Sequence, residues 1–270
     1  MKQFFFLSGL PRAGNTLLSI LLNQNPDILV TPNSVTAYLL LKLHESKQTF
    51  MYKNFPVEKH LHNIINNLFH NFYFHLPQKY IIDRGAWGTP YNFSLLKQYL
   101  KQDIKIIFLV RDIKEILNSF IHLCQNNPNF YINQQYQKLD KSTVYVDEIE
   151  AKCNLILAPD QMVDRQLYSL KHLIDLNQFK EDHALLIEYN QLIFQPESTM
   201  EKVYRFLKIR PFKHSFVNLK KYEMNGLTYD DEYLGAPMHD LQLDKISPIN
   251  KIMLLSSRLI NKYKNMEFWK

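Results

Sequence analysis

The residues best placed to do chemistry are Gly9-Leu10-Pro11-Arg12-Ala13-Gly14-Asn15-Thr16, which follow a short apolar run, Gln3 to Leu7, and precede TLLSILLNQ, apolar at helical spacing. A strand, a loop bounded by two glycines and a helix N-terminus together make an anion cradle from backbone N–H groups. A nucleotide triphosphatase carries Lys before the Ser or Thr of such a loop; this chain has Asn15 there, and Arg12 stands inside the loop instead. The strand-like run Lys105 to Val110 ends in Arg111, so no acidic residue is evident to hold magnesium. A sulfuryl group carries one negative charge where a terminal phosphoryl group carries nearly two, and a loop without Lys or metal suits the smaller charge. The alternative for Gly9 and Gly14 is a tight strand-to-helix turn with no ligand.

A second pair is Arg111, at the end of that strand, and Ser119. If a helix begins after Asp112, the guanidinium and the hydroxyl two turns along converge on one phosphate. Apart from each other they would be an N-terminal charge and a helix-surface serine.

These groups need elements to hold them. Gln3 to Leu7, Lys79 to Asp83, Lys105 to Val110 and Ala184 to Tyr189 read as strands. The spacing predicts helices after Thr16, over 35–46, from Lys59 to His75, over 93–100, from Ile113 to Cys124, in two stretches between Glu148 and Asp175, over Pro196 to Leu207, and a terminal amphipathic helix over 251–263. Thr31-Pro32-Asn33-Ser34 reads as a turn. The alternation predicts an α/β chain: a three-layer P-loop-type fold with a central, mainly parallel sheet flanked by helices, in one domain over 1–270. The Asn/Gln-rich stretch at about 125–147 has little pattern and is expected to be an excursion or lid.

Composition sets the outer bounds. Of the 270 residues 46% are hydrophobic and 21% charged, enough apolar surface for a core, which excludes disorder and collagen-like repeats. The net charge of +6 is spread along the chain, which fits small anions better than nucleic acid. Cys124 and Cys153 cannot build a disulfide framework, and no Cys/His cluster has zinc spacing, so no metal is expected. Pro11 and Arg12 interrupt the apolar start, and no stretch approaches the roughly 18 apolar residues of a membrane span, so the chain reads as cytoplasmic.

GLPRAGNTLL together with LVRDIKEILNSF resembles the two nucleotide signatures of sulfotransferases that use 3′-phosphoadenosine 5′-phosphosulfate (PAPS), especially the soluble bacterial-type members. QNPDILVTPNS, YIIDRGAW, LLIEYNQLIFQPESTMEKVYRFLKI and LGAPMHD follow in the family's order, so the resemblance covers most of the chain apart from 125–147. It implies PAPS as co-substrate, a 5′-phosphosulfate held by Arg12, Ala13, Gly14, Asn15, Thr16 and Leu17, and a 3′-phosphate held by Arg111 and Ser119.

Transfer needs a base for the acceptor's proton and a cation for the leaving group's bridging oxygen. Arg84 resembles in position a lysine that other members place near the sulfate, and is the candidate cation together with Arg12. Asp83 is either the base or the group that orients Arg84 by ion pairing. His44, Glu45 and His239 are further candidates for the base, and Trp87 either lines the acceptor pocket or anchors the core.

The chain departs from the family pattern in three places. Ala13 and Asn15 stand where Ser or Thr is usual, leaving Thr16 as the hydroxyl ligand; no Arg-Lys-Gly run occurs near the C-terminus, where Met238 to Lys245 is the expected counterpart; and a glutamate base of tyrosylprotein-type members falls at about Asn33. The acceptor, a small molecule, carbohydrate, lipid head or peptide, is expected to meet the aromatic and Asn-rich stretches 50–74 and 125–145. A P-loop small-molecule kinase and a nucleotide-binding relative without turnover are the competing readings.

Overall fold

In a computed structural model, describing residues 2–140, 147–241, 243–248 and 251–270, five strands form one parallel sheet. They are β1 (Gln3–Gly9), β2 (Ile28–Asn33), β3 (Tyr80–Arg84), β4 (Ile106–Val110) and β5 (Ala184–Glu188), in the order β2-β3-β1-β4-β5. β1 is central: Phe4, Phe5, Phe6 and Leu7 are all at most 1% exposed, so both faces are covered, which is why the run shows no alternation. β4 is buried throughout for the same reason.

The chain moves from β1 to β2 and β3 on one side, then crosses to β4 and β5 on the other, so the strand order reverses between β1 and β4. Gly9 pairs with Leu109, and the loops after β1 and β4 therefore leave the sheet side by side. Ligands of open parallel sheets bind at such a switch point, outside the carboxyl ends of the strands.

Three local expectations differ from the elements that form. β2 runs through the expected turn to Asn33; it is an edge strand, where Pro32 costs no ladder bond, and its register on β3 shifts between Val30 and Asn33. The helix expected over 59–75 is two, Glu58–Asn66 and Leu68–Phe72, broken where Asn67 leaves helical dihedrals. The terminal helix is confined to Ser257–Tyr263, because the residues before it are drawn out along the helix Ile113–Asn126. There the Asn118 amide donates to Ile252 O at 3.1 Å and its oxygen accepts from Leu254 N–H at 2.9 Å, a side chain acting as a strand partner.

Within the stretch expected to be an excursion, Tyr131–Gln137 is a helix, and Phe130, fully buried, stacks on Phe120 with ring centroids 6.2 Å apart; 141–146 lie outside the described residues. Beyond the helix Pro196–Leu207 comes a long segment, without strands or α-helices among its described residues, pinched at its base by a bridge between Val217 and Lys245. It lies over the carboxyl ends of the strands, where Tyr222 O–H donates to Val30 O at 2.8 Å. No helix among the described residues is long and apolar enough to cross a membrane.

Candidate active site at the carboxyl ends of the strands

Helix Asn15–Leu22 begins directly after the glycine loop, with no side chain capping its first N–H groups and no acidic residue in its first turn. Those donors, with the helix dipole behind them, favour an anion. Gly14 takes φ 91°, a left-handed conformation that glycine adopts freely. Gly9 is needed for proximity: a Cβ there would run into Asn15 Oδ1 and the backbone of Leu109. Asn15 itself is turned inward, its amide donating to Leu10 O at 2.8 Å while Oδ1 is buried without a hydrogen-bond partner. The asparagine thus braces the loop from inside, and what it offers a ligand is its backbone N–H. Ala13 is fully buried, and Leu17 is 7% exposed, so they too present backbone rather than side chain.

Arg12 also sits at positive φ, 63°, a strained conformation for a residue with a side chain. Its guanidinium turns away from the loop toward the helix Ile113–Asn126: Nε donates to Ser119 Oγ at 3.2 Å and Nη1 donates to Met238 O. Arg111 meets it from β4, donating through Nη1 to Arg12 O at 3.1 Å and through Nε to Glu115 Oε2 at 2.8 Å, with its plane over the Tyr189 ring at 4.1 Å. Arg12 thus joins Arg111 and Ser119, the pair expected to converge, whereas Arg12 itself, expected with the phosphosulfate loop and the catalytic cations, turns its guanidinium to the Ser119 end.

Burial, then repulsion from Arg111, lowers Arg12 below its ordinary value; burial, then Arg12 and Arg111, does the same to Lys251. Lys251, exposed, is a further cation within electrostatic reach of Arg12 and Arg111. Sequence spacing could not have found it, since Asn118 recruits it from 133 positions away (251 − 118). The expected counterpart Met238 to Lys245 contributes instead through Met238 O.

At the β3 end, Arg84 Nη1 donates to Tyr229 O–H at 2.7 Å and reaches Thr16 Oγ1 at 3.4 Å, while its backbone N–H donates to Thr31 Oγ1 at 3.0 Å. Burial lowers its guanidinium too. Arg84 and Thr16 therefore meet at one place beside the loop, and Arg12 and Ser119 at another.

Asp83 does not pair with Arg84. Adjacent strand residues face opposite sides of a sheet, and Asp83, 0% exposed, accepts from Thr36 Oγ1 at 2.6 Å, Tyr73 O–H at 2.5 Å and Trp87 Nε1 at 3.0 Å. Burial pushes its carboxyl up to about 6 against the opposing pull of these three donors. Trp87 is the buried anchor, packed on Phe6 with centroids 4.9 Å apart. His44 bonds Tyr99 O–H at 2.9 Å and Glu45 pairs with Lys42.

The donor set fits a nucleotide with anionic groups at both ends: uncapped amides and Thr16 beside Arg84 at one end, and Arg12, Arg111, Lys251 and Ser119 at the other. Comparison with known proteins identifies the family. The model of a sulfotransferase family matches residues 5–213. The sulfotransferase domain from the curacin biosynthetic pathway superposes with a TM-score of 0.52 at 16% identity, covering 98% of this chain and 91% of that one. The sulfotransferase domain of the Synechococcus PCC 7002 olefin synthase gives 0.50 at 16% identity, covering 78% and 75%. A mouse sulfotransferase complexed with PAP gives 0.46 at 17% identity, covering 79% and 61%. None of the curated proteins matches the sequence. With a family model matched over most of its length and its nucleotide-type cradle at the switch point of a parallel sheet, the chain belongs to the sulfotransferase family.

Proposed function

We propose that the chain moves a sulfuryl group from PAPS to a hydroxyl or amine acceptor. The observation that carries this reading is the convergence of Arg12, Arg111 and Ser119, with Lys251 in electrostatic reach, beside a loop that lacks both Lys and a magnesium carboxylate. Several cations around one hydroxyl suit a phosphate monoester such as the 3′-phosphate, with Arg111 and Ser119 as its direct partners and Arg12 joining them. The loop amides of residues 13–17 and Thr16 would hold the 5′-phosphosulfate, and Arg84 stands at that end to stabilise charge on the bridging oxygen. When bound, PAPS supplies an activated sulfuryl group. The protein's part is alignment and charge stabilisation without a metal. Asp83 acts as a positioning residue, fixing the end of β3 from which Arg84 projects. The acceptor is a small molecule, carbohydrate or peptide, and the two buried free thiols, Cys124 and Cys153, suit the cytoplasm.

Calorimetric titration of the protein with adenosine 3′,5′-bisphosphate tests the reading, beside ATP with magnesium and an Arg111→Ala, Ser119→Ala variant. Micromolar binding of the bisphosphate, weakened about tenfold to a hundredfold in the variant, is expected from losing charge-assisted hydrogen bonds of roughly 1.5–3 kcal/mol. Binding of magnesium ATP but not of the bisphosphate would refute it in favour of a kinase.

A further inference from the structure

The segment pinched between Val217 and Lys245 brings a histidine and a carboxylate to the Arg84 end of the site. Asp231 holds His239 twice, accepting from Nδ1 at 2.6 Å through Oδ1 and from the backbone N–H at 2.8 Å through Oδ2. A carboxylate can only accept here, so the proton sits on Nδ1 and Nε2 is left with its lone pair free. Nε2 has no hydrogen-bond partner among the described residues. The imidazole lies flat on Tyr229, with centroids 3.6 Å apart and planes 2° apart, and the hydroxyl of that same tyrosine touches Arg84. Two side chains thus link the histidine to Thr16 of the loop.

We propose that His239, oriented by Asp231, is the general base that deprotonates the acceptor; this rests on the sulfuryl-transfer reading above. The acceptor O–H gives its proton to Nε2 as its oxygen forms the new bond to sulfur. The bond from sulfur to the 5′-phosphate oxygen breaks, and its electron pair stays on that oxygen, next to Arg84. The imidazolium then carries one proton on each nitrogen, with Asp231 offsetting its charge.

The groups facing the ring suit that role. Burial lowers the imidazole's proton affinity most, Asp231 opposes, and the positive charges of Arg84 and Arg12 lower it further, so the free base is the resting form at neutral pH. The other candidates are committed elsewhere: Asp83 is buried under three donors, and His44 is engaged by Tyr99.

The test uses acceptor acidity. Labelled PAPS is supplied with benzyl alcohol or with 4-nitrophenol, the latter already ionised at pH 8 and in no need of a base. His239→Gln is expected to lower kcat for benzyl alcohol on the order of a hundredfold or more and leave 4-nitrophenol within about threefold, with bisphosphate binding by calorimetry unchanged. Asp231→Asn keeps the imidazole but removes the charge that raises it, so the acid limb of its rate profile moves to lower pH. Equal losses for both acceptors, no loss for either, or a wild-type protein that binds the bisphosphate yet transfers to neither probe would overturn the assignment. A wild-type protein that does not bind the bisphosphate would instead sink the parent reading, and this assignment with it.

Discussion

Replacing Asp83 by Asn tests whether this carboxylate is held in the protein at the cost its surroundings imply. Its folded value of about 6 lies above the 3.8 of an ordinary aspartate. The folded state therefore binds the proton more tightly than the unfolded state, and the favourable contribution is complete below 3.8 and lost as pH rises through about 6. Two units at roughly 1.4 kcal/mol each amount to about 3 kcal/mol, of which about 2 kcal/mol falls between pH 4.5 and 7.5. Asparagine has nearly the same shape and no titration. Its oxygen can accept from Trp87 Nε1 while its amide donates to the hydroxyls of Thr36 and Tyr73, which can turn their own protons to Ser34, 2.8 and 3.0 Å away. Urea-unfolding free energies of both proteins across that pH range should show the wild type gaining about 2 kcal/mol on the variant as pH falls. Parallel curves, or a variant that does not fold, would refute the reasoning.

Two further outcomes follow from the site. Arg12→Ala retains a β-carbon at φ 63°, whereas Arg12→Gly does not, so the glycine variant should be more stable by about 1 kcal/mol in thermal unfolding, while both lose bisphosphate affinity in calorimetry. Lys251→Ala and Asn118→Ala should each weaken bisphosphate binding about tenfold, and the double variant by little more than either, because Asn118 acts by holding the backbone beside Lys251.

Much of the site was legible because it is local. β1, the glycine loop and the helix after it are contiguous, and Arg111 and Ser119 lie on one strand end and the helix that follows, so spacing alone implied that they meet. The apolar runs of β1, β3, β4 and β5, alternating with helical patterns, announced a parallel sheet flanked by helices. What was not legible depends on distant partners. The terminal helix loses its first turns to Asn118, and Arg12 turns to Ser119 because Met238, 226 positions on, offers a carbonyl. Asp83 and Arg84 are neighbours in sequence, yet the pleat sends them to different environments, one into a buried knot of hydroxyls and indole, the other to the mouth of the site. His239 was a candidate from the LGAPMHD run alone; its partners Tyr229 and Asp231 carry no periodicity and acquire meaning only through their contacts with it.

The bridge between Val217 and Lys245 has a consequence for synthesis. A chain extended only as far as Leu207 already contains all five strands and the glycine loop, with most of what packs against them. It has no Tyr229 for Arg84, no Met238 carbonyl for Arg12 and no Lys251. Domains fold as the ribosome releases them, so the sheet is able to assemble well before the site does. Ligand binding rewards only the species that binds. On the sulfuryl-transfer reading, donor would therefore stabilise the finished chain more than one terminated near Leu207, which keeps the loop, Arg111 and Ser119 but lacks the contacts that hold Arg12 and Arg84 in place.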